Sequence, residues 1–160
     1  MKRKFFAVLI MVLVWTLAGM SFSAKGQARK IKAGFARDAE MEQPLYTAYK
    51  GVRLGMTTAE ARAKLGAPAL KGSDQDYYVF SDTETAQIAY DAAGKVVTIS
   101  VDYLGGAGAP DPKTVVGGEP EQQPNGHFYR IVRYESHGFW VSYNRSTGTM
   151  PLVTITIQKM

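Results

Sequence analysis

The chain has 160 residues, 19 Lys+Arg, 14 Asp+Glu and no cysteine, with a formal net charge of +5. That length argues for one folded domain. The lack of cysteine excludes a disulfide framework, a thiolate metal site, a cysteine nucleophile and a lipid-modified N-terminal cysteine. The charge is unevenly placed: residues 1–37 carry eight basic side chains and no acid, leaving 11 basic and 14 acidic groups in residues 38–160. The globular part is therefore mildly acidic, which argues against a generic phosphate-backbone binder.

In chain order, Lys2, Arg3 and Lys4 precede an uncharged, almost wholly apolar run from Phe5 to Met20, followed by Ser21, Ser23 and Ala24. This is the pattern of a secretory signal peptide. Residues 1–23 are its expected extent, with cleavage after Ser23, or alternatively after Ala28. The other reading is an uncleaved inner-membrane anchor formed by residues 5–20, although the run is short for a span of about 20 residues. Residues 24–43 read as a flexible basic lead-in, able to touch anionic lipid weakly if retained. Export places the protein in the periplasm or outside the cell.

From residue 44 to 160 the pattern predicts an α+β domain. Thr57-Thr58-Ala59-Glu60 matches a capping box, and Gly66 and Pro68 end the helix that it opens, giving a helix over 58–65. Strands are expected around Tyr77–Phe80, Gln87–Tyr90 and Lys95–Val101, with a hairpin turn at Asp91–Gly94. Leu104–Pro110 is a breaker run. Asp111-Pro112 can then cap a single helical turn through Val116. Phe128–Tyr134, Ser142–Gly148 and Val153–Ile157 echo the earlier strands and turn. We read a weak duplication, residues 51–103 and 111–158. The expected architecture is short helices packed on one face of an antiparallel sheet.

Gly51-Val52-Arg53-Leu54-Gly55-Met56-Thr57 and the helix running on to Leu65-Gly66-Ala67-Pro68 resemble the opening of the SmpA/OmlA (BamE-type) envelope domain and its relatives with the β-lactamase-inhibitor-protein-like fold. The resemblance covers roughly residues 46–103, and the second half is similar to the same unit with a truncated helix. It implies two tandem units of that fold in an exported, non-enzymatic module with protein partners. This chain would be a variant without the lipid anchor, since the acylated cysteine of those lipoproteins is absent.

Chemistry-bearing constellations are sparse. His127 and His137 are the only histidines. They stand at opposite ends of one predicted strand, roughly 30 Å apart if extended, which argues against a shared metal. Asp74, Asp76, Asp82 and Glu84 read as loop and strand-end acids that keep edges soluble. Gly105–Gly108 has no basic neighbour and no nucleotide-fold context, so it is a linker. No catalytic residue, metal or cofactor is assigned.

Aromatic placement is more informative. Strand alternation points Tyr78, Phe80, Ile88, Tyr90, Val97, Ile99 and Val101 at the helices, and in the second half Tyr129, Ile131, Val141, Tyr143, Val153, Ile155 and Ile157. It sends Tyr77, Phe128, Arg130 and Trp140 to the open face, beside Thr98, Ser100, Thr154 and Thr156. Large aromatics with an arginine on a polar sheet face form a protein-binding candidate. The partner expected is an envelope or secreted protein, and neither nucleic acid nor a small-molecule cofactor. The alternative is a small envelope metal-dependent hydrolase built on Glu135, His137 and nearby acids.

Overall fold

A computed structural model of the chain describes residues 43–160. The expected signal peptide, both cleavage sites and, apart from Gln43, the basic lead-in lie outside the described residues.

The capping signals act as read. Helix α1 spans Thr58–Leu65, with the Thr57 hydroxyl accepting from the Glu60 N–H and the Glu60 side chain accepting from the Thr57 N–H. Its start is pinned to the turn beneath it, because the Thr58 N–H and hydroxyl both donate to the Gly94 carbonyl, at 2.9 and 3.1 Å. Helix α2 is the single turn Pro112–Val116, with Asp111 as N-cap and Gly117 as left-handed C-cap.

Eight strands make up the rest: β1 (Leu70–Lys71), β2 (Gln75–Val79), β3 (Glu84–Tyr90), β4 (Val96–Leu104), β5 (Glu121–Gln122), β6 (Phe128–Tyr134), β7 (Phe139–Arg145) and β8 (Leu152–Lys159). They form one sheet in the order β1-β2-β3-β4-β8-β7-β6-β5, with every pairing antiparallel. Each of the segments read as repeats runs helix, two-residue strand, then three longer strands. The two meanders meet at their last strands, where Ile99 faces Ile157 and Val101 faces Ile155. The two outermost strands have only two residues each, so little unpaired backbone is offered for edge-to-edge association.

This arrangement corrects the α+β expectation. The domain is largely β, with two helices of only 8 and 5 residues, and the two segments read as repeats share one continuous sheet. The physical reason is helix length. From α1 only Ala61 is buried, and from α2 only Val115 and Val116, so the helices cannot roof an eight-stranded sheet. The sheet instead buries its own large side chains on that side: Tyr78, Ile88, Tyr90, Ile99, Val101, Tyr103, Val141, Tyr143, Val153, Ile155 and Ile157. Burying each such side chain contributes about 1.5–3 kcal/mol. Tyr49 and Val52 from the segment before α1 complete the core.

That segment is held by a tight turn. Tyr49 and Val52 exchange backbone hydrogen bonds at 3.0 and 2.8 Å around Lys50 and Gly51, whose φ angles are +44° and +82°. Two consecutive positive φ values describe the turn that normally selects Asn-Gly, and Lys50 carries the strain of lacking glycine's freedom. Its ammonium is repaid locally, lying 3.3 Å from Glu84 Oε1 and 4.7 Å from the centre of the Phe80 ring.

One register detail departs from simple alternation. Ala89 pairs with Thr98 but Tyr90 pairs with Val96, so Val97 is an extra residue. It is a β-bulge, and it rotates Val96 into the core in the place expected for Val97.

Candidate functional site

The two faces of the sheet differ sharply. The covered face carries the apolar core. The open face is a lattice of side chains that the register fixes row by row. One row runs Arg133, Trp140, Gln158, Thr98 and Ala89; the next runs Ile131, Ser142, Thr156, Ser100, Gln87 and Tyr77; a third runs Tyr129, Asn144, Thr154, Asp102 and Thr85.

The four residues assigned to this face divide. Tyr77, opposite Gln87, and Trp140, opposite Arg133 and Gln158, lie on it and are half-buried. They sit on β2 and β7, four strand spacings apart, or about 19 Å. Phe128 and Arg130 do not lie there. Phe128 pairs with Arg145 and Arg130 with Tyr143, on the covered side. The Arg130 Nε–H donates to the Val116 carbonyl at 3.0 Å. That carbonyl belongs to the last residue of α2, where unsatisfied acceptors and the helix dipole favour a cation. The Phe128 ring lies 4.6 Å from the Arg145 guanidinium carbon.

The correction therefore reverses the face of every residue in β6. Tyr129 and Ile131, expected in the core, point outward with Arg133. The sequence Phe-Tyr-Arg-Ile-Val-Arg-Tyr has apolar residues and an arginine on both parities, so alternation alone could not choose. The loop length could have done so. Four residues, Glu135–Gly138, separate Tyr134 from Phe139, and these two pair directly. Once Val141 is placed in the core, Tyr134 and Val132 follow it.

The outward set on β6 and β7 is compact: Tyr129, Ile131, Arg133 and Trp140 occupy adjacent strands, with Arg133 directly across from Trp140. Cross-strand neighbours lie about 5 Å apart, so the four form one patch. A second apolar flank lies at the other side of the sheet, where Tyr77, Val79 and Leu70 project and Leu70 is 69% exposed. The polar centre between the flanks is partly bonded within itself, with Asn144 Oδ1 buried and without a hydrogen-bond partner among the described residues. The Ser100 and Thr156 hydroxyls are 3.2 Å apart, and the Thr154 hydroxyl donates to Asp102 Oδ1 at 2.6 Å. These bonds tie β4 to β8.

The strongest ionic cluster lies on the covered side. Asp76 is 0% exposed and accepts from Arg62 Nε–H at 2.7 Å, Arg62 Nη2–H at 2.9 Å and the Tyr90 hydroxyl at 2.7 Å, with the Gly72 N–H at 3.3 Å. Burial alone pushes its carboxyl up, but the hydrogen bonds from Arg62 and Tyr90, the Arg62 charge and the Gly72 amide outweigh it and hold it below the usual range. Burial, then the bond to Asp76, drives the Tyr90 phenol well above its ordinary value. The carboxylate is fully engaged and the cluster clamps α1 to β2 and β3, while the buried Tyr78 hydroxyl beside it has no hydrogen-bond partner among the described residues.

Glu135 and His137 lie on a 3-10 turn, and His137 shares a 2.9 Å contact with the Ser136 hydroxyl. Among the described residues, no group of three His, Asp or Glu side chains comes together in a way that could hold a metal ion. Among the same residues, no helix is long and apolar enough to cross a membrane. In comparison with family models, with curated proteins and with solved structures, the chain matches none.

Proposed function

We propose that the chain is an exported, non-enzymatic protein-binding module of the cell envelope, and that it binds its partner across the open face of the sheet. The observation that carries this reading is the patch of Tyr129, Ile131, Arg133 and Trp140 on the face of the sheet opposite the apolar core. Tyr and Trp remove much surface from water at little entropic cost, and an arginine guanidinium adds a planar fork of donors. The polar centre, with Gln87, Thr98 and Gln158, offers polar groups beside the patch. The basic start followed by the apolar run Phe5–Met20 supports export to the periplasm or beyond. The likeness of Gly51–Pro68 to envelope-domain openings supports a protein partner.

Trp140→Ala tests the reading. It is expected to abolish capture of the partner from an envelope fraction by the immobilised protein, while the thermal midpoint moves by no more than a few degrees. A large drop in midpoint would make Trp140 a packing residue and remove the basis for the proposal.

A further inference from the structure

At one end of the covered side, where α1 and α2 leave the sheet unroofed, lies a cleft of about 560 Å3. Its apolar lining comes from Leu54, Val97, Phe139 and Met160, over the buried Val96 and Ile157 of adjacent strands β4 and β8. One wall is the Arg53–Gly55 segment. It is fixed to the start of β4, since the Gly55 N–H donates to the Val96 carbonyl and the Val96 N–H to the Met56 carbonyl, both at 2.8 Å. The opposite wall is the turn at His137 and Gly138, fastened by the Met160 N–H to the Gly138 carbonyl at 2.9 Å.

The rim is basic. Arg53, Lys95 and Lys159 line it together with His137, against a single carboxylate side chain, that of Asp91. Oδ1 of that carboxylate already accepts from the Ala93 and Lys95 amides at 2.9 Å each. Among the described residues none of the three cations makes an ion pair. Cationic side chains therefore outnumber carboxylates at this rim. This differs from the domain as a whole, whose residues 38–160 hold more acids than bases. The volume falls within the roughly 300–1,000 Å3 usual for small-molecule sites, and an apolar floor with a few convergent polar groups is their usual lining.

We infer that this cleft binds a small amphipathic anion, with its acyl or aryl body against Leu54, Val97 and the edge of Phe139 and a carboxylate head among Arg53, Lys95 and Lys159. The rim supplies two point charges on flexible lysine stems and one planar guanidinium, a set that pairs with a carboxylate. The site is on the opposite side of the sheet from Trp140 and stands or falls independently of the open face.

Calorimetric titration of the full chain with monomeric dodecanoate tests it. Saturable one-to-one binding is expected, with the Lys95→Glu/Lys159→Glu double variant about tenfold or more weaker. Dodecyltrimethylammonium should bind at least as poorly as dodecanoate binds that variant. Lys64→Glu, an exposed charge reversal on α1, should leave the affinity unchanged, and circular dichroism should show all variants folded. No saturable heat, equal binding of the cationic amphiphile, or equal loss with Lys64→Glu would overturn the assignment. So would binding to phosphatidylglycerol vesicles without binding of the monomer, since that would make the basic rim a membrane contact.

Discussion

Asp76 has no exposure to solvent, yet it remains ionised because four donors surround it. A lone buried carboxylate would neutralise instead. Its folded-state affinity for a proton is lower than the ordinary value of 3.8, so on acidification the unfolded chain takes up that proton first. The stabilisation is thus complete above about pH 4 and is lost as pH falls through the folded value. Asp76→Asn should cost about 2–3 kcal/mol at neutral pH, since Arg62 and Tyr90 lose a charged partner. The gap from the native protein should close in acid. Urea midpoints taken from about pH 2.5 to pH 6 check both statements; a cost that stays constant in acid would contradict the role given to the charge. In the sequence Asp76 looked like a soluble strand-end acid. Its burial depends on Arg62, 14 residues earlier on a helix, and on Tyr90, 14 residues later on β3. No local pattern encodes that meeting.

At the scale of elements, what was legible was what is encoded locally. The capping box and the Gly66 stop placed α1, and Asp111-Pro112 placed α2. Thr57→Ala should therefore lower stability by about 1 kcal/mol, readable as a shift of the denaturation midpoint. The parts that misled are those where two parities are equally apolar or where a residue is inserted. β6 reads the same on either face, and the bulge at Val97 exchanges it with Val96 without any break in the valine-rich run. The corrected register separates two roles that had been joined. Arg130→Ala removes a side chain that caps α2 and should destabilise by about 1 kcal/mol while partner capture is retained. Arg133→Ala, on the outward side, should do the reverse. Parallel melting and capture measurements on the two variants distinguish the registers. If Arg130→Ala loses the partner with unchanged stability, the face assignment of β6 is wrong.

The whole molecule joins two meanders into one sheet, and nothing local announces the β4–β8 seam. Valines and isoleucines at alternating positions in both strands are compatible with two separate sheets as well as with one. The seam matters because it makes the open face continuous: without it the patch on β6 and β7 and the flank at Tyr77 would belong to separate surfaces. It also builds the cleft, whose lining draws on residues of β4, β8 and β7. That is why the cleft could not be read from the sequence. Packing at the seam is dense, so Ile155→Ala should cost about 3 kcal/mol and lower the melting temperature well beyond any open-face variant.

The central claim, that the open face is the binding surface, is tested most directly by site-specific photo-cross-linking in cells. A photoreactive amino acid is placed in turn at the positions of Trp140, Ile131 and Lys64, the last being exposed on α1 and away from that face. The account predicts cross-links to the same polypeptide from positions 140 and 131 and none from 64. Cross-links from position 64 alone, or none from either open-face position, would contradict it.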